Sequence, residues 1–236
     1  MAKKHKRVLV IDVGGSNVKL YRPGSHKPVK FPSGPKMTAG QMCERARNMI
    51  KGWKFDVVSI GLPTIVVHGR AACEPGNLGT GWTECDFEKA FRKPVKVVND
   101  AALQAIGSYE GGRMLFLGLG TGLGSVLILD NVVVPLELGE LRYSADRTLE
   151  DVLSKASLKK LTCARRSKII VDVALNLKAA FVADYVLIGG GSADDVKKLP
   201  LGMRRGSNRN ARIGGIRLWK ETPQRAVIKK HTVVVA

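Results

Sequence analysis

The sequence predicts an α/β protein made of two related lobes that face each other across a cleft. Three observations predict it. Short buried apolar runs of strand length alternate with stretches of helical composition, as mixed α/β sheets require. Two of these runs share a plan. RVLVIDVGGSNVKL at 7–20 and RMLFLGLGTGLGSVLI at 113–128 each read as arginine, buried strand, glycine turn and returning strand. Gly14 and Gly120 then align at an offset of 106, close to half of the 236 residues. Each half also holds a later strand ending in glycine, VVSIGLP at 57–63 and YVLIGGG at 185–191. The expected lobes are residues 1–103 and 104–236.

Taken in order, Arg7–Val13 reads as a buried strand, Gly14-Gly15 as its turn and Asn17–Tyr21 as the return. Thr38 followed by Gln41 has capping-box spacing and opens a helix to about Lys51. Val57–Leu62 is a buried strand stopped by Pro63, and the Gly- and Pro-rich residues 69–84 predict a loop. Asp86 caps a short helix, Val95–Asn99 is a strand, and Ala101–Tyr109 is a helix ended by Gly111-Gly112. Arg113–Leu119 and Ser125–Leu129 flank the second glycine turn, and Asp130-Asn131 makes a tight hairpin into Val132–Pro135. Thr148 with Asp151 caps a region of helical composition over most of 148–180. Tyr185–Ile188 is a strand, followed by GGGS and a helix near Ala193–Leu199. Residues 200–212 read as a basic loop and Ile213–Lys220 as a last helix, while the tail 221–236 receives no assignment.

Composition bounds the function. Hydrophobic residues make up 44%, enough for a sizeable core. Apolar runs such as Val8–Ile11 are far too short to span a bilayer. The basic start MAKKHKRVLVID loses its apolar run at Asp12, too early for a signal-peptide core. The expectation is a cytoplasmic protein with no membrane partner. Cys43, Cys73, Cys85 and Cys163 form no CxxC pair, so they read as reduced thiols and no zinc is expected. The net charge of +19, from 39 Lys and Arg against 20 Asp and Glu, fits either a polyanion partner or a solvated basic surface. Aromatics are 6% and no run interleaves them with basic residues, so nucleic acid is not the expected partner.

The glycine turns carry the chemistry. GLGTGLGS fits neither GxxxxGK[ST] nor GxGxxG, because position 123 is Leu. It is a hairpin turn stripped of side chains, carrying Thr121 and Ser125, and it is either a plain bend or a nest of backbone N–H groups for an anion. The similar turn at Asp12–Ser16 favours the anion. It ends a buried strand with a carboxylate, which suits Mg²⁺ held through water, and Lys19 follows where it can face a phosphate. Asn99-Asp100 ends a buried strand just before a helix. One of the pair can cap the helix while the other acts as a general base.

Together these residues resemble the ROK family of sugar kinases, within the actin-like/hexokinase superfamily, with the strongest likeness to polyphosphate-dependent glucokinases. The resemblance runs in order and spacing over roughly 7–218. It rests on IDVGGSNVK (11–19), IGLPTIVVHG (60–69), EPGNLGTGW (74–82), VVNDAA (97–102), LGLGTGLGS (117–125), ELGEL (137–141) and VLIGGGSADDVKKLP (186–200). It implies two ribonuclease H-like lobes with a central cleft, and phosphoryl transfer from ATP or polyphosphate to a hexose hydroxyl, with O6 of glucose as the expected acceptor. Asp100 would be the catalytic base. Asn77, Asn99, Glu137 and Glu140 would bind the sugar. Asp12 would help hold Mg²⁺, and Gly14, Gly15, Ser16, Lys19, Gly120, Thr121 and Gly122 would line the phosphates. Gly189, Gly190 and Gly191 would sit by the adenosine of a nucleotide donor. The resemblance also implies a homodimer. The chain departs from the family pattern in three places: Thr64 replaces the small residue after proline, Glu140 stands where the family has histidine, and the family's zinc-binding cysteine cluster is missing, as it also is in polyphosphate glucokinases. Glu140 either points outward, marks a changed sugar, or marks a catalytically impaired homologue that binds sugar or regulates.

Overall fold

The first glycine turn lies where β1 (Val8–Val13) hands over to β2 (Asn17–Tyr21). The computed structural model of the chain describes residues 6–207, 209–220 and 233–234 and buries every residue of β1. A strand buried along its whole length belongs to a sheet covered on both faces. β1 pairs antiparallel with β2 and parallel with β4 (Val57–Leu62), which pairs parallel with β7 (Val95–Asn99). With β3 (Val29–Pro32) beside β2, the order is β3-β2-β1-β4-β7. In the second sheet β8 (Arg113–Leu119) pairs antiparallel with β9 (Leu123–Leu129) and parallel with β11 (Tyr185–Gly189). β12 (Met203–Arg205) extends it parallel to β11, and β10 (Val132–Leu136) and β13 (Val233–Val234) extend it beyond β9. Apart from β13, the two sheets have the same connectivity, so the repeat in sequence is a repeat of topology.

Alternation along the central strands sorts the core into layers. Leu9, Ile11 and Val13 of β1 pack outward, with α1 (Ala39–Met49) and α2 (Phe87–Phe91), whereas Val8 and Val10 face inward. In β8, Met114 and Phe116 face inward. Leu115, Leu117 and Leu119 pack outward, with α4 (Leu149–Leu153), α5 (Lys155–Lys159) and α6 (Cys163–Ala180). The inner layer is built around α3 (Asp100–Ser108) and α7 (Asn210–Arg217). The capping boxes at Thr38–Gln41 and Thr148–Asp151 form as their spacing predicts, and Asp86 caps α2. Asp130 and Asn131 both have positive φ, as a two-residue hairpin turn requires.

Elsewhere the fold differs from local expectation. β3 is an edge strand with one buried residue, Phe31, too weak a pattern to read. The short hairpin β5 (Val66–Val67) and β6 (Arg70–Ala71) runs into the stretch read as loop. The helical region 148–180 is three helices, broken where Ser154 is extended and before Thr162, which caps α6. The helix expected near Ala193–Leu199 is a 3₁₀ turn over Gly191–Asp195. It ends because Val196 is extended and buried, while Asp194 and Asp195 are tied to Arg205 and Arg166. The basic stretch 200–212 holds β12 and the start of α7, its arginines masking a three-residue strand. The tail 221–236 lies outside the described residues except for Val233–Val234. Among the described residues, no helix is long and apolar enough to cross a membrane. Cys43 and Cys85, far apart in sequence, bring their Sγ atoms to 3.9 Å.

The two inner helices touch backbone to backbone. A Cβ on Gly107 would strike the Asn210 carbonyl, and one on Gly214 would strike the Leu103 carbonyl. Gly215 lies against Val10, and its carbonyl accepts from Ser59 Oγ at 2.7 Å. The end of α7 is thereby tied to the first sheet. Gly214→Ala must separate α3 from α7 and should destabilise the protein by at least about 2 kcal/mol, the scale of overpacking in a filled interior. Chemical denaturation measures this, and an unchanged midpoint would contradict the contact.

Candidate active site

Asp12 is buried near the end of β1 and lies opposite Lys19 of β2, whose Nζ approaches its carboxylate to 3.0 Å. On its other side Asp12 aligns with Gly61 of β4, and Gly61 with Val98 of β7. Gly61 is where α3 settles on the sheet. A Cβ there would stand 2.8 Å from Leu103 Cδ2 and 3.2 Å from Asp100 Cα. The second sheet makes a matching contact, since a Cβ on Gly124 of β9 would stand 2.7 Å from Ala101 Cβ. One glycine from each sheet thus admits the first turn of α3 between them.

Asn99 and Asp100 divide their labour at that turn. Asn99 Oδ1 accepts from the N–H groups of Ala101 (2.8 Å) and Ala102 (3.2 Å), capping the helix, while Nδ2 donates to the Thr64 carbonyl at 3.1 Å. Asp100 is half-buried. Lost hydration first, and the Asp12 charge second, push its pKa up to about 7, against the Ala101 N–H and Lys19. For Lys19, burial disfavours the ammonium, yet Asp12, with smaller help from Tyr21 and Asp100, outweighs it and raises the pKa. A carboxyl poised near neutrality is suited to accept a proton at physiological pH.

The first turn is braced from a distance. Ser33 Oγ donates to the Gly14 carbonyl at 2.5 Å, and its N–H donates to the Ser16 carbonyl at 3.1 Å. Against Gly15 lies Asn77, whose Nδ2 would be 2.6 Å from a Cβ there. The loop bearing Asn77 is set by the Glu74 carboxylate, which accepts from the N–H groups of Trp82 and Thr83, and by the Gly79 N–H donating to the Met37 carbonyl. Asn77 Oδ1 is buried and has no hydrogen-bond partner among the described residues. A buried acceptor left open beside a glycine turn is suited to a ligand hydroxyl.

In the second turn the Gly120 N–H donates to the Gly122 carbonyl at 3.1 Å, and Thr121 is exposed. What lies against Gly122 is the carboxylate of Glu150 in α4. Nearby, the 3₁₀ turn Leu138–Glu140 carries Glu137 and Glu140, both exposed. Partial burial first, then the charges of Glu150 and Glu140, raise the Glu137 pKa. Gly189 ends β11 and Gly190 follows it; both line a small cavity with Gln104, Phe116 and Arg205, while Gly191 opens the next turn.

The structure therefore gathers Asp12, Lys19 and Asp100, sets Asn77 on Gly15, and groups Glu137 and Glu140 with Glu150. Sequence reading missed Ser33, Gly61, Glu74, Gly124 and Glu150 as supports. Gly61, Glu74 and Gly124 lie within quoted motifs, where a glycine in a buried run marks a close approach without naming what approaches, whereas Ser33 and Glu150 lie outside all of them.

No family model matches the chain. Polyphosphate glucokinase of Mycobacterium tuberculosis is 24% identical to it over 200 residues, covering 78% of this chain and 72% of that protein. An inorganic polyphosphate/ATP-glucomannokinase from Arthrobacter sp. strain KM shares the fold with a TM-score of 0.74 at 22% identity, over 89% of this chain and 96% of that one. A ROK family glucokinase from Streptomyces griseus, solved in complex with glucose and AMPPNP, gives 0.70 at 17% identity, over 89% and 98%. The chain has the two-lobed fold of the ROK-family sugar kinases, and its sequence is similar to that of polyphosphate glucokinase.

Proposed function

We propose that the protein is a phosphotransferase that moves a terminal phosphoryl group onto a hexose hydroxyl, O6 of glucose. The observation that carries this reading is Asp100, poised near neutrality at a helix start packed between Gly61 of one sheet and Gly124 of the other, in electrostatic reach of the Asp12–Lys19 pair. Asp100 takes the proton of the attacking hydroxyl. Asn77 offers its open Oδ1 to the sugar, Asn99 keeps one amide hydrogen after capping, and Glu137 accepts from a further hydroxyl. Glu140 lies close enough to Glu137 to add to that wall of the sugar site. Gly14, Gly15, Ser16, Gly120, Thr121 and Gly122 present backbone to the phosphates, with Lys19 as a counter-charge. This is catalysis by positioning and electrostatics, which suits a loose phosphoryl-transfer transition state.

The residues fit Mg²⁺. Asp12, with Asp100 in electrostatic reach, provides hard oxygen ligands at the phosphate turn, and Mg²⁺ needs only one or two carboxylates alongside water and phosphate. Bound there, it supplies charge neutralisation at the transferred phosphoryl group. The donor is inorganic polyphosphate or ATP. The net charge of +19 favours the longer polyanion, and for ATP the Gly189–Gly191 side would hold the adenosine. Glu140 motivates a second reading, a sugar-binding homologue without transfer, because it adds a negative charge beside Glu137.

A phosphoryl-transfer assay with a sugar panel crossed against ATP and polyphosphate decides between them, and no transfer in any combination leaves the binding-only reading. Asp100→Asn should keep the fold and lose about 10²–10⁴ of kcat, the usual contribution of a general base. Wild-type turnover in that variant removes Asp100 from the mechanism. Since the base must be ionised, kcat/KM should fall on the acid side with a midpoint near the Asp100 value of about 7. The Asp12 charge opposes ionisation of Asp100, so Asp12→Asn should lower the Asp100 pKa in a carboxyl NMR titration of the metal-free protein. A rise would reverse the assigned coupling. Polyphosphate-supported rates should drop more steeply with added salt than ATP-supported rates, and equal slopes would sever charge from donor choice.

A further inference from the structure

Two thiols meet in the outer layer of the first sheet. Cys43 is a buried core residue of α1, and Cys85, half-buried, packs on the same cluster just before Asp86 caps α2. Their Sγ atoms lie 3.9 Å apart across 42 positions of sequence. Other contacts hold both backbones in place. The Ala39 N–H donates to the Thr80 carbonyl at 3.2 Å and the Gly79 N–H to the Met37 carbonyl at 2.9 Å, which moors the segment before Cys85 to the start of α1. The Glu74 carboxylate accepts from the N–H groups of Trp82 and Thr83, and Phe87, beyond Cys85, is buried. A disulfide of about 2.05 Å requires the sulfurs to close by about 1.9 Å, a movement that side-chain rotation can supply. The pair is also divided chemically. The hydrogen bond between the sulfurs, and then burial, raise the Cys43 pKa, with Arg47 opposing, so that thiol keeps its proton. The same hydrogen bond lowers the Cys85 pKa, against partial burial and the Asp86 charge. Cys85 is therefore both the more accessible sulfur and the more readily ionised one, and the thiolate is the form that oxidants meet. Cys73 and Cys163 are exposed and contact Thr64 and Arg166 instead.

We propose that Cys43 and Cys85 form a site of reversible oxidation, closing to an intramolecular disulfide that fastens the Asn77-bearing segment to α1. Peroxide is the oxidant. The Cys85 thiolate attacks one peroxide oxygen and the O–O bond breaks. The departing hydroxide takes up a proton to become water, and Cys85 is left as a sulfenic acid. The Cys43 thiol then attacks that sulfur. The S–S bond forms, the S–O bond breaks, and the thiol proton leaves with the hydroxide as a second water. Each sulfur gives up one electron overall, and the peroxide takes both. A sulfenic acid with a thiol in contact condenses with it before further oxygen is added, and a dithiol reverses the bond by exchange. Asn77 lies inside the stretch of chain that the bond closes, so the bond restricts the residue set against Gly15. Neither step draws on the phosphotransferase reading.

The test treats the intact, folded protein with a small excess of hydrogen peroxide, blocks the remaining thiols by alkylation and maps the peptides by mass. It compares the wild type, Cys85→Ser, and the double variant Cys73→Ser/Cys163→Ser, which keeps only the pair. In the wild type the peptides carrying Cys43 and Cys85 should appear joined. The double variant should go from two free thiols to none without cross-links between chains, and dithiothreitol should restore both. In Cys85→Ser, Cys43 should stay reduced, because it is buried and keeps its proton. Amide exchange over residues 74–84 should slow severalfold in the oxidised protein and recover on reduction. If Cys43 and Cys85 stay reduced while Cys73 and Cys163 are oxidised, the proposal is overturned and the pair is apolar core packing. Cys85 recovered as a sulfinic acid, or joined to Cys73, to Cys163 or to a second chain, overturns it as well. A disulfide that leaves exchange over 74–84 unchanged overturns its hold on the Asn77 segment. None of these readouts depends on phosphoryl transfer, so failure of the phosphotransferase reading is scored separately.

Discussion

The first turn of α3 is wedged between the two sheets, and the rest of the molecule is arranged around that contact. Gly61 receives Asp100 and Leu103 from one side, and Gly124 receives Ala101 from the other. At the far end of the same helix, Gly107 meets the backbone of α7. These approaches leave no slack, because a filled interior responds to an added methyl group by moving its elements. The helix therefore locates the Asp100 carboxyl relative to Asp12 and Lys19 more firmly than any loop would. Catalytic geometry that tolerates little displacement benefits from such a mount.

The charge distribution runs against the net charge of the chain. A protein of +19 gathers Asp12 and Asp100 at one glycine turn and Glu137, Glu140 and Glu150 near the other. Only Lys19 is ion-paired within these groups among the described residues. Carboxylates crowded out of water hold their protons longer, which is why Asp100 rises to about 7 and Glu137 moves in the same direction. The positive net charge would attract polyanions, while the Asp12 charge beside Asp100 sets the proton affinity of the group that would accept a proton. Long-range attraction and local chemistry are thereby assigned to different residues.

The two glycine turns are equivalent in topology but not in support. The first is held by a hydroxyl and an N–H from Ser33 and is backed by Asn77. The second is held by the Lys155 N–H and the Glu150 carboxylate. A duplicated framework thus carries two different sets of anchors. The glycines serve accordingly: Gly15 makes room for an amide and Gly122 for a carboxylate, both from this chain.

The sequence by itself determined the elements whose signals are local. The buried runs, the capping residues Thr38, Asp86 and Thr148, the Asp130-Asn131 hairpin and the repeated strand–turn–strand plan all depend on neighbours a few positions apart, and all are present as read. It also drew attention to Asp12, Lys19 and Asp100, since Asp12 stands two residues before Gly14, Lys19 follows on the returning strand and Asp100 opens a helix. Tertiary structure alone decided what depends on distant segments meeting. The edge strands β3 and β12 exist because a neighbouring strand pairs with them, and the helix expected after Gly191 gives way to burial of Val196. Ser33, Gly61, Gly124 and Glu150 acquire their roles from partners 19, 39, 23 and 27 residues away, read from Gly14, Asp100, Ala101 and Leu123. Local propensity carries no information about such meetings, because backbone hydrogen bonds and side-chain volume are satisfied only when the sheets and helices have assembled.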